Sequence, residues 1–134
     1  SSFFKGVDVT QVFSAGDIAR KSQLSVIDHS GNDLNSVIEQ VKNADRDIAV
    51  VVDKNQKYEG MVSAESLAQA KKGDGKLASA FLSDVKTVAA NLGLSDVLHQ
   101  VANSGHPVPV VDENGKYLGS VSKTALLQTL DRAS

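Results

Sequence analysis

Two serines stand 59 positions apart, each three residues after a glycine: Gly60 with Ser63, and Gly119 with Ser122. Each serine closes a short apolar run and precedes a stretch with helical spacing. Where a strand hands over to a helix, the first N–H groups of the helix have no intrahelical partner and favour anions. Ser63 and Ser122 are therefore candidate anion-binding residues, and equally plain N-caps of the helices that follow. Glycine inside a strand weakens pairing and marks close approach by backbone or ligand. Gly60 and Gly119 fit that description, and also fit tight packing between sheets. His106-Pro107-Val108-Pro109 sets two prolines beside a strand. Proline cannot donate to a ladder, so the segment predicts an edge or a bulge at a cleft, or a guard against edge pairing. With Ser66, three positions after Ser63, these residues make the candidate site: Gly60, Ser63, Ser66, Pro109, Gly119 and Ser122.

The rest of the chain offers little that reacts. It has no cysteine, which removes disulfides, thiolate nucleophiles and zinc ribbons together. His29, His99 and His106 are scattered, with neither Glu-x-x-His nor His-x-x-x-His spacing, so no metal site is expected. No nucleophile elbow is present, and catalysis is not expected. No G-x-x-x-x-G-K-[ST] loop offers its backbone to ATP phosphates. The run from Lys71 to Lys76, KKGDGK, has other spacings and reads as a solvated connection. Near a membrane, Lys71, Lys72 and Lys76 would each add about 1 kcal/mol of attraction to anionic lipid. A net charge of −2, no tryptophan and 4% aromatic residues suit neither duplex nor single-stranded nucleic acid. No apolar run reaches the roughly 18–20 residues of a membrane span. The N-terminus lacks the charged-then-apolar layout of a secretion signal, and Ser1-Ser2 reads as a cloning remnant. The expected compartment is the cytoplasm.

The elements that position these residues occur twice. Shifted by 59, positions 49–67 lie on 108–126 with 10 of 19 identical, and such self-similarity governs the fold. Leu34, Val37, Ile38 and Val41 keep the i, i+3, i+4, i+7 spacing of a helix with one apolar face, as do Leu94, Val97, Leu98 and Val101. Short β-branched runs follow at 48–52 and 108–111. Asn114-Gly115 predicts a two-residue hairpin with positive φ at both positions, whereas Asn55-Gln56 predicts a looser or different turn. Return strands at 58–62 and 117–121 lead into helices carrying Leu67 and Leu126, Leu127, Leu130. Each unit reads strand–helix–strand–strand–helix. One unit alone has a marginal core and an exposed apolar sheet face, which two units hide against each other.

An amphipathic helix, then PVPVVDENGKYLGSVS (107–122), then a helix, present twice, resembles a cystathionine β-synthase (CBS) domain pair, with the first copy the looser. The resemblance spans roughly Leu24 to Leu130. It implies an α/β (α+β) fold: two βαββα repeats packed about a pseudo-twofold axis, at 24–72 and 85–134, joined by 73–84 and preceded by a connecting segment, 1–23. Upstream, FFKGVDVTQVFSAGDIA (3–19) is similar to the segment joining the ATPase domain to the CBS pair in the ATP-binding subunit of glycine betaine/L-proline ABC importers. The closing VPVVDENGKYLGSVSKTALLQTLDR (108–132) looks like the end of that subunit.

The resemblance thus implies a non-catalytic regulatory fragment of a larger polypeptide. Its partners would be its own ATPase domain, the permease and a second CBS pair, on the inner face of the cell membrane. Its role would be osmotic or ionic control of compatible-solute uptake. In the family, adenosine-type ligands, here an adenine nucleotide or a cyclic dinucleotide, bind in clefts between the copies. Nucleotide-binding members commonly place an aspartate three positions after the Ser/Thr, to hold the ribose. Here those positions are Ser66 and Ala125. A buried ribose hydroxyl left unpaired costs about 1–3 kcal/mol, a tenfold to hundredfold loss of affinity. Tight AMP or ATP binding is therefore not expected, and an adenine-nucleotide sensor from another cytoplasmic protein is the alternative.

Overall fold

The computed structural model describes residues 13–20, 24, 26–28 and 33–133. In chain order the elements are α1 (Ala15–Ala19), β1 (Val26–Asp28), α2 (Leu34–Asn43), β2 (Ile48–Val52), β3 (Tyr58–Ser63), α3 (Ala64–Lys72), a 3-10 turn (Leu77–Ala80), β4 (Val88–Ala89), α4 (Leu94–Ala102), β5 (Val108–Val111), β6 (Tyr117–Val121) and α5 (Lys123–Ala133). The chain forms two compact units, Leu24–Val85 and Lys86–Ser134, the latter joined by residues 13–20. Each holds a three-stranded sheet, ordered β1-β2-β3 in one and β4-β5-β6 in the other. In both, the first pairing is parallel and the second antiparallel. The repeated strand–helix–strand–strand–helix order is thus present, in an α+β fold.

The helical spacing translates directly into burial. Leu34, Val37 and Val41 are buried on α2, and Leu94, Val97 and Val101 on α4. Ile38 and Leu98 lie half-buried at the rims of these faces. On β2, Ala49 and Val51 join the core of the first unit. Val50 and Val52, which alternate with them, are equally inaccessible. A strand buried on both faces cannot show polar alternation, which explains the unbroken IAVVV run. The three leucines expected on the last helix lie on α5 in different surroundings. Leu126 is buried and Leu130 half-buried, but Leu127 is 65% exposed, because a residue next to Leu126 points about 100° away around a 3.6-residue turn.

The two hairpins are closed identically, which corrects the expectation of a looser first turn. Asp53 accepts N–H groups of Asn55 and Lys57 on Oδ1 at 2.7 and 3.0 Å. Asp112 accepts those of Asn114 and Lys116 at 2.8 and 2.9 Å. The Gln56 and Gly115 N–H groups then return to the Asp53 and Asp112 carbonyls, both at 3.0 Å. Only one residue per turn needs positive φ: Gln56 at 66° and Gly115 at 82°. This is the three-residue loop that ends in a left-handed residue, not the two-residue form. The aspartate clamp, rather than the local preference of residue 56, decides the geometry.

Pro109 also departs from expectation. It lies in β5, the middle strand of its sheet, opposite Ser120, with its side chain fully buried. A proline is tolerated there because β4 is two residues long and pairs only with Val110 and Val111, one step beyond. The register shift falls between Val110 and Val111, and its counterpart between Val51 and Val52. Each places the extra residue, Leu118 or Glu59, immediately before the strand glycine.

Within the expected connecting segment, residues 13–20 pack onto the second unit. Ser14 caps α1 through a capping box with Asp17. The Ala15 and Gly16 N–H groups donate to the Leu92 and Ala90 carbonyls, both at 2.8 Å. Gly119 makes this approach possible. Its φ is 147°, and a Cβ there would stand 2.1 Å from the Ala19 carbonyl oxygen. Within the expected 73–84 connection, Leu77 and Ala80 are buried in the core of the first unit. Asp74 orders the approach, accepting the Ser79 hydroxyl at 2.7 Å and the Lys76 N–H at 3.0 Å.

Gly119→Ala forces a backbone carbonyl to move and adds strain at positive φ. It is expected to cost about 2–5 kcal/mol in urea unfolding, against about 1 kcal/mol or less for Gly115→Ala, which meets open space. The Asp74 carboxyl is held below its usual 3.8, first by the Ser79 hydroxyl and then by the Lys76 N–H. Its contribution to stability is present above pH 3.8 and is lost as the pH falls through the lowered folded value. Asp74→Asn is expected to remove that part of the acid dependence from thermal melts taken across this range.

Candidate functional site

The six candidate residues divide evenly between the units, and their roles separate cleanly. Gly60, Ser63 and Ser66 belong to Leu24–Val85; Pro109, Gly119 and Ser122 belong to Lys86–Ser134. Both glycines are packing residues. A Cβ on Gly60 would sit 2.5 Å from the Phe81 ring, and Gly119 accommodates the Ala19 carbonyl. Both serines cap helices. Ser63 Oγ accepts the Ser66 N–H at 2.9 Å, and Ser122 Oγ accepts the Ala125 N–H at 3.0 Å. Ser66 reciprocates, accepting the Ser63 N–H at 2.9 Å while donating its hydroxyl proton to the Ser63 carbonyl at 3.1 Å. Its hydroxyl is thus engaged in a capping box, and Ala125 has none. Neither position presents a carboxylate.

A small cleft of about 170 Å³ opens beside Ser122. The loop 104–107 forms one wall and the start of α5 the other, with His106, Lys123 and Thr124 among the lining residues. Ser104 holds that loop in shape, donating its hydroxyl to the His106 carbonyl at 2.5 Å and accepting the His106 N–H at 3.2 Å. Lys123 is the first residue of α5, where a cation opposes the helix dipole. An anion in the cleft would offset that conflict, drawing on the lysine charge and the positive end of the helix dipole.

The first unit differs at the matching place. The Asp47 carbonyl already accepts the Ala64 N–H at 2.9 Å, and Glu65 occupies the first turn of α3. That acidic start satisfies the dipole from within and repels an anion. Of the two helix starts, that of α5 has a basic residue and no acidic one in its first turn. A larger hollow of about 600 Å³ runs from Thr87–Asn91 to Val111–Glu113; its charged side chains are the acidic Asp112 and Glu113.

The sequence reading passed over Lys123, Thr124 and Ser104, and weighed His106 as a metal ligand and as part of a proline-flanked segment at a cleft. The available signal was a lysine directly after a capping serine, against the dipole rule. Among the described residues no three His, Cys, Asp or Glu side chains converge on a metal position. His99 is exposed on α4, and His29 lies outside the described residues. Among the described residues, no helix is long and apolar enough to cross a membrane.

Residues 78–132 match the family model of the CBS domain. The second repeat is a CBS domain, and the whole chain has the fold of CBS domain pairs. Its similarity is more particular than that. It is 39% identical over 98% of its length to the glycine betaine/proline betaine transport system ATP-binding protein ProV of Salmonella typhimurium, of which it covers 33%. The chain thus spans about a third of the length of the curated relatives it matches. Among solved structures, Staphylococcus aureus OpuCA aligns with a TM-score of 0.69 at 20% identity, covering 84% of this chain and 97% of that one. CBSX2 in complex with AMP aligns at 0.67 and 21% identity, covering 90% and 98%.

Replacing Ser63 or Ser122 by alanine is expected to cost about 1 kcal/mol through the lost cap. Lys123→Glu, by satisfying the dipole, is expected to raise the melting temperature slightly in anion-free buffer. Scanning calorimetry of the three variants checks both signs.

Proposed function

We propose that this chain is the regulatory CBS pair of the ATP-binding subunit of a glycine betaine/L-proline ABC importer, adjusting ATP-driven compatible-solute uptake to osmotic or ionic conditions. The observation that carries the reading is similarity along 98% of the chain to ATP-binding proteins of betaine transport systems. The module performs no chemistry itself. Its partners are the ATPase domain of its own subunit, the permease and a second CBS pair, on the inner face of the cell membrane. A non-catalytic role suits a molecule whose candidate polar residues are occupied as helix caps.

The physical route is electrostatic. Contacts between exposed charges weaken as the screening length falls from about 10 Å at 0.1 M salt toward about 3 Å at 1 M. Rising ionic strength therefore loosens the module from a charged partner and changes how readily the ATPase subunits close. With residues 14–134 deleted from the intact transporter subunit, ATP hydrolysis should lose its dependence on salt. A salt profile identical to that of the full-length subunit would dispose of the reading.

A second reading, an adenine-nucleotide sensor, draws on the cleft at Ser122, Lys123 and His106 and on likeness of fold to a protein solved with AMP. Ligand contact by Gly60, Ser63, Ser66, Pro109, Gly119 and Ser122 belongs to this reading. It predicts about 2.7 kcal/mol of stabilisation at a hundred times Kd. With Ser66 engaged and Ala125 lacking a hydroxyl, AMP, ATP and a cyclic dinucleotide at millimolar concentration are expected to leave the melting temperature unchanged. A rise with any of them favours the sensor.

A further inference from the structure

We propose that Asn114 is a site of spontaneous deamidation through a cyclic imide formed with Gly115, and that the Asp112 clamp sets its rate. Asn114-Gly115 is the single Asn-Gly pair in the chain. Asparagine is thermolabile, and most so before glycine, whose nitrogen no side chain shields. In the reaction the Gly115 nitrogen gives up its proton to solvent base and bonds to Cγ of Asn114. The Cγ–Nδ2 bond breaks and ammonia leaves. Water then opens the ring. Cleavage at Cγ gives aspartate, and cleavage at the main-chain carbonyl carbon gives isoaspartate, whose backbone runs through the former side chain. Nothing is oxidised or reduced, and water is the only co-reactant.

The structure separates this asparagine from its competitors. Asn114 is exposed, and its side-chain amide has no hydrogen-bond partner among the described residues. Space around the attacking nitrogen is open, since a Cβ on Gly115 would meet no atom within 4 Å. Asn103, by contrast, donates its side-chain amide to the His99 carbonyl at 2.8 Å. The single Asp-Gly pair, Asp74-Gly75, has its carboxylate tied to Ser79 and Lys76, and a carboxylate is a poor target for a nitrogen nucleophile. Asn55 is the internal control. Its hairpin is closed by Asp53 in the same way and Gln56 takes the same positive φ, but the Gln56 side chain crowds the nitrogen that would attack.

The clamp governs the rate because it holds the reacting group. The Gly115 N–H is the one donated to the Asp112 carbonyl at 3.0 Å, beside the Asn114 N–H that Asp112 Oδ1 accepts at 2.8 Å. While both bonds last, the nitrogen keeps its proton and faces Asp112. Ring closure therefore waits for the turn to open, a local event that needs far less free energy than unfolding. The product does not close again in the same form. Isoaspartate inserts an extra backbone atom between Asp112 and Lys116, whose N–H Asp112 also accepts. Either product adds a negative charge next to Asp112 and Glu113.

The test is incubation of the 134-residue chain at mildly alkaline pH, followed by digestion and mass spectrometry that resolves amide, aspartate and isoaspartate. Conversion is expected at Asn114 and not at Asn55. Asp112→Ala should speed it about tenfold, the effect of losing hydrogen bonds to a charged group. Gly115→Gln, which copies the first hairpin, should suppress it. Circular dichroism verifies that each variant is folded. If Asp112→Ala does not fold, the parent in native buffer is compared with the parent in urea, where conversion should likewise be faster. If Asn114 stays an amide in the folded chain while the urea-unfolded chain converts, the hairpin forbids the reaction and the proposal falls. Equal rates in the parent and in folded Asp112→Ala, or in native buffer and urea, would overturn the role of the clamp.

Discussion

The structure is organised around two short strands that have no free face. On β2, Ala49, Val50, Val51 and Val52 are all inaccessible, and Val108, Pro109 and Val110 on β5 are buried too. A three-stranded sheet of this length has little stability unless its apolar surface is covered. Polar chemistry therefore gathers where the strands end. At one end, Asp53 and Asp112 clamp the hairpins; at the other, Ser63 and Ser122 begin helices.

The repeat made the order of elements legible, because apolar spacing survives divergence better than residue identity does. What it missed was set by neighbours distant in sequence. Pro109 looks like an edge residue until the length of β4 is known. Gln56 looks unsuited to a tight turn until the Asp53 carboxylate is seen holding it. Four of the six site residues, Gly60, Ser63, Gly119 and Ser122, were visible as strand glycines and capping serines, and packing and capping are the roles the structure displays for them. The chemistry at Lys123 is harder to see, since it takes its meaning from the helix dipole and the loop at 104–107.

Divergence between the copies is where one half acquires properties the other lacks. The two strand glycines serve different neighbours: Gly60 makes room for an aromatic side chain, which can shift, and Gly119 for a main-chain carbonyl, which cannot readily do so. The Tyr117 hydroxyl meets the Ser120 hydroxyl at 2.7 Å in the interior of the second unit, whereas the matching residues of the first are Tyr58 and Met61. One sheet contains a buried polar pair, and its counterpart has a thioether at the equivalent place.

The attachment of α1 to the second unit bears on the order in which the molecule assembles. Gly16 and its acceptor Ala90 are 74 positions apart, with all of Leu24–Val85 between them. A five-residue helix cannot persist alone, and during synthesis N-terminal domains generally condense first. The first repeat therefore leaves the ribosome while the segment ahead of it still waits for Leu92 and Gly119 to emerge. Closing so long a loop is entropically unfavourable and kinetically late. Of the described helices, α1 is made before the first repeat and is among the last to be secured.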